Sequence, residues 1–222
     1  MVKRICLIVE GAGNSKSDKS RLAEAFSKLL ENAGFQRGRR PTVIAAGGRD
    51  QALSDFIATL SGRQREGFPI LLVDSEDPVS FVLPKYDAPK KEHEYWRDNA
   101  PIWQHLKTRD KWEKPYGAEN NQVVLMVTSM ETWIAADREA LKKQFKSGFN
   151  EKRLPSLLNL ESRSRKEVLA ALEAATKDCG RDRQYAKGEI SFKLIAMLNP
   201  ATLQQHLPHF QRFIAVLRHH LS

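Results

Sequence analysis

Three short apolar segments near the start of the chain constrain the fold more than any other feature. Residues 4–9, 41–46 and 68–73 are rich in aliphatic side chains, which is typical of strands buried on both faces. The stretches between them carry apolar residues at helical spacing, beginning at Leu22 and at Ala52. Because strands that alternate with amphipathic helices indicate βαβ units, we predict an α/β fold with a Rossmann-like parallel sheet flanked by helices.

Capping residues set the expected helix ends. We expect Ser17 or Asp18 to cap the first helix, which ends at Gly34. Asp50 is expected to cap the second helix, which ends at Gly62. We further predict a strand over 122–128, a helix over 131–143, and mostly helical segments over 154–160, 165–176, 189–198 and 201–221, broken at Pro155, Gly180, Pro200 and Pro208.

The domain organisation follows from this pattern. We predict an α/β domain over residues 1–141, with an insertion at about 78–122, and a basic helical C-terminal region over 142–222 packed on it. The insertion is rich in charge and proline and contains Trp96, Trp103 and Trp112, which suit a core as well as a stacking platform.

Two features point to the cytoplasm. The chain has only 2 cysteines, which is too few for a disulfide framework, and Cys6 is expected to be buried. The apolar run at the start, Ile5–Val9, is too short for a signal peptide or a membrane span. We therefore expect a reducing compartment.

The net charge of +9 is unevenly distributed. Residues 142–222 carry 15 basic against 7 acidic side chains, whereas the rest of the chain is nearly balanced. A basic surface suits a polyanion such as nucleic acid, although it also serves solubility alone. The candidate track consists of Lys142, Lys143, Lys146, Lys152, Arg153, Arg163, Arg165 and Lys166, which are otherwise solvated helix faces.

Acidic residues follow two of the predicted strands. Glu10 ends the first strand, and Asp74, Glu76 and Asp77 follow the third. In an open parallel sheet, ligands bind at the carboxyl ends of the strands, and Mg²⁺ or Mn²⁺ prefers carboxylate oxygens. We therefore predict a divalent-metal site from these four residues, with Asp77 as a reserve ligand; the alternative is that residues 74–77 only start a loop.

Other candidate residues have weaker signals. Gly11, Gly13, Gly47 and Gly48 follow two strands, where the backbone could approach a phosphate or simply turn. Glu131 follows the fourth strand and either lies near the acidic edge or stabilises a helix start, whereas Trp133 is expected in the core. Lys187 either contacts phosphate or is solvated.

Histidine and nucleophile chemistry is not indicated by the sequence. The six histidines do not form a zinc pattern such as His-Glu-x-x-His. Ser75 lies between acidic residues that disfavour an alkoxide, and a buried Cys6 is a poor nucleophile.

Several motifs resemble a known family. Ile8-Val-Glu10-Gly11 and Leu72-Val-Asp74-Ser-Glu76-Asp77 are similar to the glutamate and Asp-x-Asp motifs of Toprim domains. Segments 126–137 (MVTSMETWIAAD) and 185–188 (YAKG), with Pro208-His-Phe210, resemble more closely the Toprim-like bacterial domain-of-unknown-function family 4276, related to RloB proteins. The resemblance covers nearly the whole chain.

This resemblance implies a Toprim-like fold, a Mg²⁺ site and nuclease activity in prokaryotic, anti-phage defence, often beside an ATPase partner. It implies Glu10 as the acid–base or metal residue, and Asp74 and Glu76 as metal ligands. The chain departs from the Asp-x-Asp pattern, because Glu76 stands in the second position and Asp77 comes one place late. That departure affects how many metal ions the site is expected to bind and whether it is expected to cleave.

Three hypotheses follow. The first is a Mg²⁺-dependent nuclease or phosphodiesterase. The second is a non-catalytic or partner-activated module that works with an ATPase. The third is a nucleic-acid-binding protein with a degenerate site, for which binding depends on salt and not on metal.

Overall fold

The sheet has four parallel strands in the order β2-β1-β3-β4. The structure, a computed structural model, describes residues 4–13, 15–36, 38–63, 67–79, 100–180 and 184–221. The strands are β1 (Ile5–Glu10), β2 (Thr42–Gly47), β3 (Phe68–Asp74) and β4 (Val123–Met126). The predicted α/β fold with a Rossmann-like parallel sheet is thus confirmed.

Strand β1 lies inside the sheet because β2 pairs with one of its edges and β3 with the other. Ile8 pairs with Ile44 of β2 on one side and with Leu71 of β3 on the other. Every residue of β1 is buried, as the continuous apolar run predicted. The carboxyl ends of β1 and β3 therefore meet at the point where the strand order reverses, which is where open α/β sheets bind ligands.

Helices cover both faces of the sheet. They are α1 (Lys16–Asn32), α2 (Arg49–Leu60), α3 (Ala100–Asp110), α4 (Met130–Ala136), α5 (Arg138–Phe145), α6 (Arg165–Thr176), α7 (Glu189–Met197), α8 (Pro200–His206) and α9 (Pro208–Leu221). Helices α2 and α3 pack on one face, while α1 and the helices after β4 pack on the other. No helix of the described residues is long and apolar enough to cross a membrane.

Trp133 of α4 lies at the centre of the larger core. Its ring centroid is 4.7 Å from that of Phe210, 5.6 Å from that of Phe213 and 6.2 Å from that of Phe26. These partners come from α9 and α1, so the helical C-terminal region shares one core with the first helix of the chain. The expectation that Trp133 belongs to the core is confirmed.

The smaller core lies under α2 and α3. Phe56 and Trp103 are 6.3 Å apart between ring centroids and pack with Ile8 of β1. Trp112 is also buried here, so the structure places two of the three tryptophans of the insertion in or beside a core. Trp96 and His93 lie outside the described residues, as does the rest of residues 80–99 of the predicted insertion.

Two helix predictions were wrong. The helix predicted over 131–143 is two helices, which meet at Asp137. The Asp137 side chain accepts from Ala140 N at 3.0 Å and so caps the second helix, and it also accepts from Asn199 N at 2.7 Å. The segment 154–160 is not a helix, because Pro155 lacks an N–H and Asn159 has a φ of 55°. Only short 3₁₀ turns flank it.

Some predicted boundaries also shifted. Strand β4 is shorter than 122–128 because Thr128 N donates to the Thr132 hydroxyl at 3.1 Å instead of to a neighbouring strand. Helix α1 is capped by Ser15, whose hydroxyl accepts from Asp18 N at 3.0 Å. Helix α2 is capped by Gly48, and Asp50 lies in its first turn.

Candidate metal and phosphate site

Glu10 and Asp74 end the two central strands and lie side by side. The backbone N–H of Asp74 donates to Oε2 of Glu10 at 3.2 Å. Both side chains are buried in the crevice at the strand-order reversal. Since each strand ends at its carboxylate, the parallel register alone brings the two acids together.

Among the described residues, Arg49 is the cation that stabilises the Glu10 carboxylate. Nη1 of Arg49 lies 2.9 Å from Oε2 of Glu10. Burial nevertheless raises the pKa of Glu10 above its ordinary value; Arg49 opposes this rise and the charge of Glu76 adds to it. A buried glutamate with a raised pKa is better suited to accept and return a proton than an ordinary surface glutamate.

Asp74 is the least compensated acid of the site. Its Oδ1 accepts from the backbone N–H of Met130, the first residue of α4, at 2.9 Å. Burial raises the pKa of Asp74 well above its ordinary value, and the charges of Glu10, Glu131 and Glu76 raise it further against the opposing charge of Arg165. A bound cation would relieve this repulsion.

Glu76 and Asp77 are paired with arginines of the neighbouring helices α6 and α3. Glu76 has a φ of 65°, and its N–H donates to Thr128 O at 2.8 Å, which ties the loop to the end of β4. Its carboxylate forms an ion pair with Arg165. The Asp77 side chain is 70% exposed and lies 3.3 Å from Nε of Arg109, at the rim of the crevice.

Arg49 is the site residue that the sequence analysis missed. Its guanidinium holds Asp110 of α3 through two bonds, Nε–Oδ1 at 2.9 Å and Nη2–Oδ2 at 2.6 Å. Its Nη1 also donates to the Asp74 carbonyl at 2.6 Å, and its Cζ lies 4.9 Å from the ring centroid of Trp112. The available signal was position, since a cation on the first residue of a helix opposes the helix dipole and calls for another partner.

Glu131 is buried on the other side of Asp74. Its Oε1 accepts from the Tyr185 hydroxyl at 3.2 Å and lies 3.1 Å from Nζ of Lys187. Burial is the largest influence and raises the pKa of Glu131, but the Lys187 ammonium, Ser129 and a backbone hydrogen bond together outweigh it, so the pKa lies below its ordinary value. The structure thus brings Glu131 and Lys187 together beside the acidic crevice, and Lys187 is 45% exposed.

The glycines lie around the ends of β1 and β2. The N–H of Gly11 donates to Gly47 O at 3.0 Å, and both residues have positive φ, 116° and 103°. These two positions therefore favour glycine for backbone reasons. A phosphate-binding role for Gly11, Gly13, Gly47 and Gly48 stays a prediction.

The basic track is mostly on the surface. Arg165 reaches the site through Glu76, whereas the remaining members are exposed: Lys142, Lys143, Lys146, Lys152, Arg153, Arg163 and Lys166. Like Arg49, Arg165 is the first residue of a helix, and its neighbour Lys166 adds a second cation there.

The carboxylate oxygens of the crevice suit a hard cation as ligands. Among the described residues, hydrogen bonds to Glu10 and Asp74 fall on Oε2 and Oδ1, which leaves one oxygen of each carboxylate for another ligand. No set of three or more His, Cys, Asp or Glu side chains is arranged around a common point in the described part of the chain. Glu10 and Asp74 would hold Mg²⁺, with water and substrate completing its shell.

The fold and site define a class: an α/β protein with a doubly wound parallel sheet and a buried acidic crevice at its switch point. The chain belongs to the family described as "Domain of unknown function (DUF4276)", which it matches over residues 7–218. Comparisons with curated proteins and with solved structures gave no match.

Proposed function

We propose that this protein is a Toprim-like, Mg²⁺- or Mn²⁺-dependent nuclease or phosphodiesterase of the cytoplasm, acting as the effector of a prokaryotic anti-phage defence system. The observation that carries the proposal is the pair of buried carboxylates, Glu10 and Asp74, at the switch point of the sheet. Burial, with the charge of neighbouring acids, raises the pKa values of both, a combination that is typical of functional sites.

The residues divide the chemistry between them. Glu10 and Asp74 would hold the metal, with Glu76 as a further ligand once it leaves Arg165, and a bound metal would supply Lewis-acid polarisation of the scissile phosphate and stabilisation of the leaving oxygen. The cations around the crevice, Arg49 and Arg165, attract and orient the phosphodiester. Glu10 is placed to exchange a proton with the attacking water.

The test is a titration of purified protein with Mg²⁺ and Mn²⁺. Thermal stability is followed together with cleavage of plasmid DNA and bulk tRNA, for wild type, Glu10→Gln and Asp74→Asn. We expect metal-dependent cleavage in the wild type and a loss of about 10²- to 10⁴-fold in each variant. Asp50→Asn, an exposed acid in the first turn of α2, makes the same charge change outside the crevice and serves as the matched control. Wild-type-like cleavage by both site variants would falsify the proposal.

A second candidate function is favoured by the ion pairs of the crevice. Arg49 holds Glu10 and Arg165 holds Glu76, so the acids are engaged in the absence of other ligands. This arrangement suits an effector that is silent until a partner, such as an ATPase, opens the site. Metal-dependent stabilisation without cleavage, and cleavage only after the partner is added, would support it.

The third candidate is a nucleic-acid-binding protein with a degenerate site. The exposed basic residues of α5, α6 and the segment between them support it. Its mark is binding that weakens steeply with salt and does not respond to metal or to Asp74→Asn.

A further inference from the structure

One nitrogen of Arg49 lies between the ends of the two central strands. Its Nη1 is 2.9 Å from Oε2 of Glu10 and 2.6 Å from the Asp74 carbonyl oxygen. Carboxylate and carbonyl oxygens are hard donors, the type that divalent metals take in proteins. A side-chain cation thus lies against the Glu10 carboxylate and the Asp74 backbone carbonyl, at one of the two acids of the proposed metal site.

We infer that Arg49 is a tethered counter-ion that a divalent metal displaces from Glu10, and that the displaced guanidinium then binds the phosphodiester of the substrate. This inference rests on the proposed function and deepens it, because it assigns the phosphate-binding residue and couples metal binding to substrate binding.

The contacts of Arg49 on α3 allow such an exchange. The guanidinium can stay in place when Glu10 turns to a metal, because Nε and Nη2 hold Asp110 at 2.9 and 2.6 Å independently of Glu10. Trp112 supports it from one side. A guanidinium presents a planar set of donors that matches phosphate oxygens, and a freed Nη1 is available for that contact.

Competition between Arg49 and the metal predicts the direction in which metal affinity changes when Arg49 is replaced. If Arg49 competes with the metal for Glu10, then its removal strengthens the binding of metal alone. If the phosphodiester takes up the displaced Arg49, then phosphodiester and metal strengthen each other's binding by the same factor. A purely structural Arg49, which only ties α3 to the sheet, predicts neither effect.

Calorimetric titration with Mg²⁺ tests this, with and without dimethyl phosphate as the probe for the phosphodiester. The proteins are wild type, Arg49→Gln and Arg109→Gln. Arg109 is the matched control because it lies in the same cluster and contacts Glu76, Asp77 and Asp110 without touching Glu10. Its loss therefore reports the general effect of removing one nearby positive charge.

We expect Arg49→Gln to bind Mg²⁺ alone roughly tenfold more tightly than wild type, and clearly more tightly than Arg109→Gln, a coupling of ordinary size. Dimethyl phosphate is expected to strengthen Mg²⁺ binding in wild type, and this gain is expected to shrink in Arg49→Gln. Arg49→Lys keeps the charge without the fork and is expected to lie between the two, which guards against a folding defect in the glutamine variant.

The outcomes separate the two proposals. Equal Mg²⁺ affinity in wild type and both glutamine variants overturns the inference and leaves the metal site of the proposed function standing. Absence of Mg²⁺ binding in all of the proteins overturns both. Binding that appears only after Arg49 is replaced supports the inference directly.

Discussion

Asp74 and Glu131 are two buried acids that lie on either side of the end of β4, and their pKa values move in opposite directions. Asp74 is 9% exposed and Glu131 is 2% exposed, so burial disfavours the charge of both. Asp74 has a backbone N–H as its hydrogen-bond donor, and three nearby acids raise its pKa further. Glu131 has a lysine and a tyrosine hydroxyl, and its pKa is lowered.

Because both acids are buried, their charged and hydrogen-bonding partners account for the opposite directions of their pKa shifts. The region around Glu131 is compensated within the chain, which is the usual condition of a structural ion pair. The region around Glu10 and Asp74 keeps uncompensated negative charge, which lowers stability and is retained in proteins where a ligand uses it. The predictions below test this division.

The largest effect is expected from Lys187→Met. Without its ammonium partner, the Glu131 carboxylate resembles Asp74, and its pKa is expected to rise. Because Lys187 is 45% exposed, solvent already screens part of the pair, and the expected loss is about 2 kcal/mol of unfolding free energy at pH 7, below that of a fully buried pair. Urea denaturation measures it.

The pH dependence of this loss has a definite sign. The folded-state pKa of Glu131 lies below 4.5, so its ion pair stabilises the protein above that pH and the contribution is lost as the pH falls through the folded pKa. The difference between wild type and Lys187→Met should therefore shrink towards pH 4. Lys193→Met, which removes an exposed lysine paired with Glu189, is the control and is expected to change stability by less than about 0.5 kcal/mol.

Mg²⁺ is expected to stabilise the wild type through the uncompensated region alone. At ten times its dissociation constant, a ligand that binds only the folded state adds about 1.4 kcal/mol. Asp74→Asn is expected to lose this response, whereas Lys187→Met is expected to keep it. An equal response in wild type and Asp74→Asn, followed by thermal unfolding, would place the metal elsewhere.

A smaller effect of opposite sign is expected from Asp74→Asn without metal. The asparagine carbonyl still accepts from Met130 N, while the charge repelled by Glu10 disappears, so the variant should be more stable than wild type by about 1 kcal/mol at pH 8. The folded-state pKa of Asp74 lies above its ordinary value of 3.8. The wild type therefore loses stability as the pH rises from 3.8 to the folded-state pKa. The gain should vanish below pH 3.8; a gain independent of pH would argue against a charge effect.

The smallest effect is expected from Tyr185→Phe. The hydroxyl donates to Glu131 at 3.2 Å, a long hydrogen bond, so its loss should destabilise the protein by about 0.5 kcal/mol. The double variant Tyr185→Phe/Lys187→Met should lose more unfolding free energy than the two single variants together, because both side chains stabilise one carboxylate. Simple additivity in the double-mutant cycle would show that the tyrosine acts independently.

Much of the fold was predictable because local pattern and tertiary structure agree. The buried runs of β1 and β3 have no helical spacing, and the apolar face of α1 has it throughout, so the alternation of elements was readable. The positions of Glu10 and Asp74 followed from the rule that parallel strands share one carboxyl edge. The break at Asp137 was not predicted, because it depends on a bond to Asn199, 62 residues away.

The part of the site that the sequence did not reveal comes from long-range pairing. Arg49 and Asp110 are 61 residues apart, and Glu76 and Arg165 are 89 apart, so spacing along the chain says nothing about either pair. Glu76 was predicted to be a metal ligand with Asp74, and this stays a prediction; its ion pair with Arg165 was not predicted. The unfavourable placement of both arginines on first helical residues was the one local sign.

The packing of α1 against α7 has a consequence for biosynthesis. Arg21 and Glu189 form an ion pair across 168 positions, and the same helices share the core around Phe26 and Phe192. At the usual pace of translation, on the order of 5–20 residues per second, α1 waits roughly 10–30 s on the ribosome before its partner emerges. During that interval the part of its apolar face that packs on α7 has no cover within the nascent chain, so we expect truncated or stalled chains to need chaperones and to aggregate without them.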